Sequence, residues 1–196
     1  DCLDEVAHWD EQTRRVVLAR LRPPEPLRFF DEQAGAALAA FCDTVLAQDA
    51  EPRIPVLSFI DEKLAAGTLD GFQYAELPDD CTTWKLVARG LDEVAGGSFA
   101  ACSPERRREI VDQFAEGELS GGVWDELSPG RAFSVVMRAV LGAFYSHPWA
   151  WNEIGFGGPA YPRGYSRLGI DLSEAWEGRE AFAVDPAEDT TEREAG

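Results

Sequence analysis

The sequence predicts an all-α fold. Helical apolar spacing recurs in six stretches, Pro and Gly punctuate the chain between them, and no run alternates polar and apolar residues as a half-buried strand would. The 196 residues suit one compact domain with a tail. At 45% hydrophobic and 11% aromatic, the chain has enough apolar material for a packed core.

The elements follow in order. Val6, Trp9, Val16, Val17 and Leu21 recur at helical spacing between charges, so residues 1–22 read as one N-terminal helix. Arg22-Pro23-Pro24-Glu25-Pro26 ends it in a stiff, extended connector. Phe29-Phe30 leads to Asp31, a capping residue type, and Ala34 to Ala47 is dense in strong helix formers, with Leu38, Phe41, Val45 and Leu46 on one face. Pro52 and Pro55 break the chain before a stripe of Val56, Phe59, Ile60 and Leu64, which Gly67 stops. Thr68 to Pro78 reads as loop, with Asp70-Gly71 as a turn signal. Asp79 or Asp80 suits the next cap, Trp84, Val87, Leu91 and Val94 the stripe, and Gly96-Gly97 the stop.

Ser103-Pro104-Glu105 places a cap residue, a first-position proline and an acid in order, ahead of Ile110, Val111 and Phe114. Residues 117–122 form a break, and Ser128-Pro129 starts again. Phe133, Val136, Met137, Val140, Leu141 and Phe144 then make the most apolar helix, expected at the centre of the core. Residues 27–146 are thus the helical core. Residues 147–170 are rich in aromatics, Gly and Pro, fit neither helix nor strand, and read as a docking loop that closes the domain at 170. Residues 171–196 hold nine acids against two arginines and read as an acidic tail, disordered from about Val184 onward.

Charge excludes several functions. Lys and Arg total 18 against 36 Asp and Glu, a net −18. Nucleic-acid binding draws on phosphate neutralisation, so it is not expected, and an anionic membrane would repel the chain as a whole. No run is long and apolar enough for a transmembrane helix, so no direct membrane insertion is expected. The start, Asp1-Cys2-Leu3-Asp4-Glu5, lacks the basic and apolar regions of a secretory leader. Arg14-Arg15 lies inside a helical pattern rather than ahead of an apolar run. The location expected is cytoplasmic, or extracytoplasmic through export with a partner or removal of a signal ahead of position 1. Cys2, Cys42, Cys81 and Cys102 are widely spaced, with only His8 and His147 to join them, so neither a zinc nor an iron–sulfur site is expected. Cys2 reads as exposed near a terminus.

Local chemistry is sparse. Ser146-His147 are neighbours without a nucleophile elbow. Gly155-Phe156-Gly157-Gly158 follows no strand and opens no helix, and no dinucleotide or phosphate loop occurs. No catalytic residue, cofactor site or metal site is therefore assigned to this chain. Trp149, Trp151 and Phe156 are hard to place in a small domain's own core, and Arg163 sits between Tyr161 and Tyr165. Aromatics and Arg of this kind suit a partner surface. An alternative remains open: a stand-alone helical enzyme using His147 with Glu153 or Tyr145 as acid–base groups.

The run Phe144-Tyr145-Ser146-His147-Pro148, followed by Trp151-Asn152-Glu153-Ile154-Gly155-Phe156-Gly157-Gly158, resembles the C-terminal signature of the gluconate 2-dehydrogenase subunit 3 family. Phe29-Phe30, Asp43-Thr44-Val45-Leu46 and Phe59-Ile60-Asp61 are similar to its upstream layout, so the resemblance spans about residues 28 to 165. It implies a non-catalytic small subunit of an FAD-dependent sugar or polyol dehydrogenase. FAD and the active site would lie in a large flavoprotein of the glucose–methanol–choline oxidoreductase class, often joined by a cytochrome c subunit. The small subunit would bind, stabilise or help export its partner. The residues expected to meet it are Tyr145, His147, Trp149, Trp151, Asn152, Glu153, Phe156, Tyr161 and Arg163. Many family members begin with a twin-arginine signal, which is absent here. Trp149-Ala150-Trp151 also replaces their Gly-rich approach to the Asn.

Overall fold

A computed structural model describes residues 1–68 and 74–159. Its described residues contain α-helices, short 3-10 helices and no strand. They divide into two compact units, one of residues 23–144 and one joining residues 1–22 to residues 145–159.

The larger unit holds α2 (Glu32–Val45), α3 (Val56–Ala65), α4 (Asp80–Ala95), α5 (Pro104–Glu116) and α6 (Pro129–Phe144). The start signals act as expected, because the first amides of a helix need acceptors. Asp31 accepts from the Ala34 N–H at 2.8 Å, Asp79 from Thr82 at 2.9 Å and Ser103 from Arg106 at 3.3 Å. Gly96 and Gly117 close α4 and α5 in the left-handed conformation that a Cβ disfavours.

Helix α2 packs against α3, α4 and α5, and α4 also meets α6. The centre of this core is therefore α2 with α4, contrary to the expectation for α6. Helix α6 buries only one stripe, Ala132, Val136, Val140 and Phe144, and leaves Leu141 exposed. A helix lying on α3 and α5 has its other face outward, however apolar its sequence. Phe114 stands between Trp124 at 4.9 Å and Phe133 at 5.2 Å, and all three lie within one aromatic cluster with Phe41. Trp124 comes from a 3-10 helix, Gly122–Asp125, that begins at the last residue of the stretch read as a break, and its indole N–H donates to the Gly90 carbonyl at 3.2 Å.

One carboxylate ties the proline connector to this bundle. Asp61 on α3 is buried and accepts three consecutive backbone N–H groups, from Arg28 at 2.7 Å and from Phe29 and Phe30 at 3.0 Å. The residues before them are mostly proline and have no N–H to offer. Held this way, Phe30 packs on Trp84 with ring centroids 6.1 Å apart, and Asp31 stands ready to cap α2.

The smaller unit corrects three expectations. Residues 1–22 form two elements rather than one: a 3-10 helix over Cys2–His8, then α1 (Glu11–Ala19). The chain breaks at Trp9, which is extended, and Asp10 caps α1 by accepting from Thr13. Cys2 is buried rather than exposed. Residues 148–153, read as loop, form the short helix α7 (Pro148–Glu153), because Pro148 occupies a first-turn position and His147 caps it. The acidic tail 171–196 and the expected disorder from Val184 lie outside the described residues.

Asp61→Asn would set an amide N–H against one of the three donors. We expect a loss of about 2–4 kcal/mol in chemical denaturation. Gly90→Ala would bring a Cβ within 2.5 Å of the Trp124 ring. It should destabilise by about 1–3 kcal/mol, although alanine is the better helix former.

Candidate functional site

The smaller unit is built on a seam between the N-terminal residues and α7. Trp151 packs with Cys2, Trp9 and Val17 in one buried cluster, with Leu3, Val6 and Phe156 at its edge. Polar contacts fix the register. Asn152 accepts from the Cys2 N–H at 2.7 Å and donates to the Asp1 carboxylate at 2.9 Å. The Cys2 thiol reaches the Pro148 carbonyl at 3.4 Å. Arg20 donates to the Ser146 carbonyl at 2.8 Å, and its guanidinium lies over the Trp151 ring at 5.7 Å. The Trp151 indole N–H donates to the Tyr145 carbonyl at 2.6 Å.

Gly158 explains part of the glycine-rich run. Its φ is +90°, and a Cβ there would stand 2.9 Å from the Trp9 ring. The glycine therefore seats an indole rather than a phosphate. The Trp9 indole N–H is buried without a partner among the described residues.

The expected site residues separate into inner and outer sets. His147 and Trp151 are buried, and Asn152 and Phe156 are half-buried. These four build the seam. Tyr145, Trp149 and Glu153 are exposed. Tyr161 and Arg163 lie outside the described residues. Sequence reasoning missed Ile154, which is 50% exposed, and Val16 and Leu18 on α1, at 43% and 41%. Their signal was faint, since apolar residues one position either side of a buried Val17 look like part of its stripe.

His147 has a defined structural task. Its Nδ1 accepts the Trp149 backbone N–H at 3.2 Å, so that nitrogen carries no proton. Burial pushes its pKa below the ordinary value; a hydrogen bond to the Arg20 backbone opposes this, and the Arg20 charge adds to it. The ring caps the helix that follows it. A buried His committed to a cap is poorly placed for acid–base work with the exposed Glu153 and Tyr145. Among the described residues no group of three or more His, Cys, Asp or Glu could hold a metal. No described helix is long and apolar enough to cross a membrane.

The depressed pKa of His147 gives a pH prediction. Below about pH 6.5 the unfolded chain takes up a proton that the folded chain refuses, so the neutral cap's contribution is present above that pH and is lost as pH falls through the folded value. Stability measured between about pH 7 and pH 5 should fall with acid. His147→Asn, which keeps an acceptor at the cap, should flatten that slope.

Comparison with known proteins bears on this segment. A family model described as Gluconate 2-dehydrogenase subunit 3 matches residues 32–158. No curated protein and no solved structure matches the chain.

Proposed function

From the chain's membership of the gluconate 2-dehydrogenase subunit 3 family, we propose that it is the non-catalytic small subunit of an FAD-dependent sugar or glycoside dehydrogenase of the glucose–methanol–choline class. The family name makes it an accessory subunit of a dehydrogenase; the catalytic partner, its flavin and its reaction belong to the proposal. The carrying observation is the outer set. Trp149 is 38% exposed and Tyr145 47% exposed, beside Ile154, on a segment whose inner face is already closed by the chain's own residues. Exposed aromatics of this size suit an interface core.

In this reading the large subunit would hold FAD, which would supply the hydride-accepting chemistry, and a cytochrome c subunit could complete the complex. This chain's residues perform no bond-making step. They bind the folded catalytic subunit and not its unfolded chain, which stabilises it by about 2.7 kcal/mol when free small subunit exceeds the dissociation constant a hundredfold. Cap and seam serve this by holding Trp149 in one pose before contact. His147 fixes the Trp149 amide and stacks edge-on to its ring at 4.9 Å. A pre-ordered aromatic loses little conformational entropy on binding.

Co-expression with the catalytic subunit tests this reading. Trp149→Ala with Tyr145→Ala removes two partly exposed rings, leaves the buried cluster around Trp151 in place, and should weaken association by about 1–3 kcal/mol while the lone chain keeps its helicity. Recovery of soluble, flavin-loaded large subunit should fall with it. Unchanged association would overturn the docking role. Trp151→Ala should instead unfold the seam, lowering stability by about 3–5 kcal/mol.

A further inference from the structure

His147 joins the two halves of the smaller unit. It is 2% exposed. Its Nδ1 accepts the Trp149 N–H at 3.2 Å, at the start of α7, and its ring also bonds to the backbone of Arg20, which caps the end of α1. With Nδ1 an acceptor, the nitrogen that donates to the Arg20 carbonyl is Nε2. Only the neutral ring with its proton on Nε2 makes both bonds. The imidazolium donates from both nitrogens, so its Nδ1–H would stand against the Trp149 N–H.

The charge that bears on this ring is itself a cation, the Arg20 guanidinium. That guanidinium is held at the Ser146 carbonyl at 2.8 Å and lies over the Trp151 ring. The carboxylates of the neighbouring 3-10 helix are engaged elsewhere. Asp1 accepts from Leu3 and Asn152, Asp4 meets the N-terminal ammonium, and Glu5 lies 4.0 Å from the exposed His8. The Cys2 thiol is on the Pro148 carbonyl. On α1, Asp10 caps Thr13, and Arg14 donates to the Val6 and Trp9 carbonyls. Tyr145 and Glu153 are exposed. A proton on His147 therefore sets a donor against the α7 cap and a second buried cation beside the arginine that holds α1 to residue 146.

We infer that His147 is an acid-released latch: protonation of its ring opens the seam between α7 and residues 1–22 and frees Trp149 from its pose, while residues 23–144 stay folded. This rests on the docking reading above and adds its regulation, with the catalytic subunit held at neutral pH and let go in acid. The proton is taken up on opening. Each pH unit below about 6.5 thus raises the opening constant by up to about tenfold, until the closed ring itself titrates. Affinity falls with the closed fraction, because only the closed seam presents Trp149 in one pose.

Hydrogen exchange of the full chain, followed by NMR between about pH 7 and pH 5 and corrected for the intrinsic rate, tests the latch. Three protons report on the seam: the Trp149 amide, the Cys2 amide on Asn152 and the Trp151 indole N–H on the Tyr145 carbonyl. They should lose protection together, by about fivefold to twentyfold, while amides within α2 keep theirs. His147→Asn offers an acceptor and a donor at every pH and should hold the seam closed in acid. His8→Asn should respond as the wild type does. An unchanged wild-type profile would overturn the latch, and decides the matter even where His147→Asn does not fold. An equal response in His147→Asn, or loss of protection in α2 in step with the seam, would also overturn it. Affinity for the purified flavin-containing subunit should weaken in acid for the wild type and less for His147→Asn. Equal weakening of the two would overturn the regulation. Failure to bind at pH 7 would overturn the docking role and leave the latch standing.

Discussion

The larger unit depends on a single buried carboxylate. A charged group leaves water only when its oxygens are satisfied, and Asp61 meets that demand with three successive amides of a segment that has no secondary structure of its own. The bond works in both directions. The connector supplies the donors that make the burial tolerable, and the carboxylate supplies the only regular partner those amides have. From that anchor the rest follows by proximity. Phe30 reaches Trp84 on α4, Asp31 caps α2, and α2 is delivered to the position where it meets α3, α4 and α5. Asp92 repeats the device on a smaller scale, accepting from Gln33 of α2 and from the Phe99 amide at 2.9 Å each.

The smaller unit solves a different problem. Helix α7 is too short to be stable alone, since nucleation costs more than one or two turns return. It persists because His147 caps it, Trp151 is enclosed, and the Asn152 side chain pairs with residues 1 and 2. The N-terminal 3-10 helix is equally dependent, with poorer hydrogen-bond geometry than an α-helix. Two weak elements hold each other, and the surface they leave outward is apolar and aromatic. Function in this reading is a by-product of that economy: what the seam does not bury is offered to the partner.

Much of the larger unit was legible because its signals are local. Asp31, Asp79, Ser103-Pro104, Gly96 and Gly117 each act on amides or carbonyls within one turn, and each did what its residue type predicts. The break at Trp9 was not legible, because Val6, Trp9 and Val16 fit a helical period even though Asp10 restarts the helix between them. Cys2 was misplaced because its partners, Asn152 and Pro148, are about 150 residues away in sequence. The role of Asp61 was hidden for the same reason: nothing near it in sequence says that a proline-bound amide run will seek it. At the candidate site, composition marked the aromatic segment as unusual. It could not say that Trp151 and His147 face inward while Trp149 faces out, since that depends on the N-terminal half of the seam.

The order of the two units along the chain has a consequence for biosynthesis. Residues 1–22 are made before the bundle, yet they close on a segment that leaves the ribosome only after all of residues 23–144. At roughly 5–20 residues per second, the Cys2 backbone waits on the order of ten to thirty seconds for Asn152. During that interval Trp9, Val17 and the Cys2 thiol have no native shelter. Nascent chains of this protein therefore carry an apolar, thiol-bearing segment without its native cover while the bundle folds behind it.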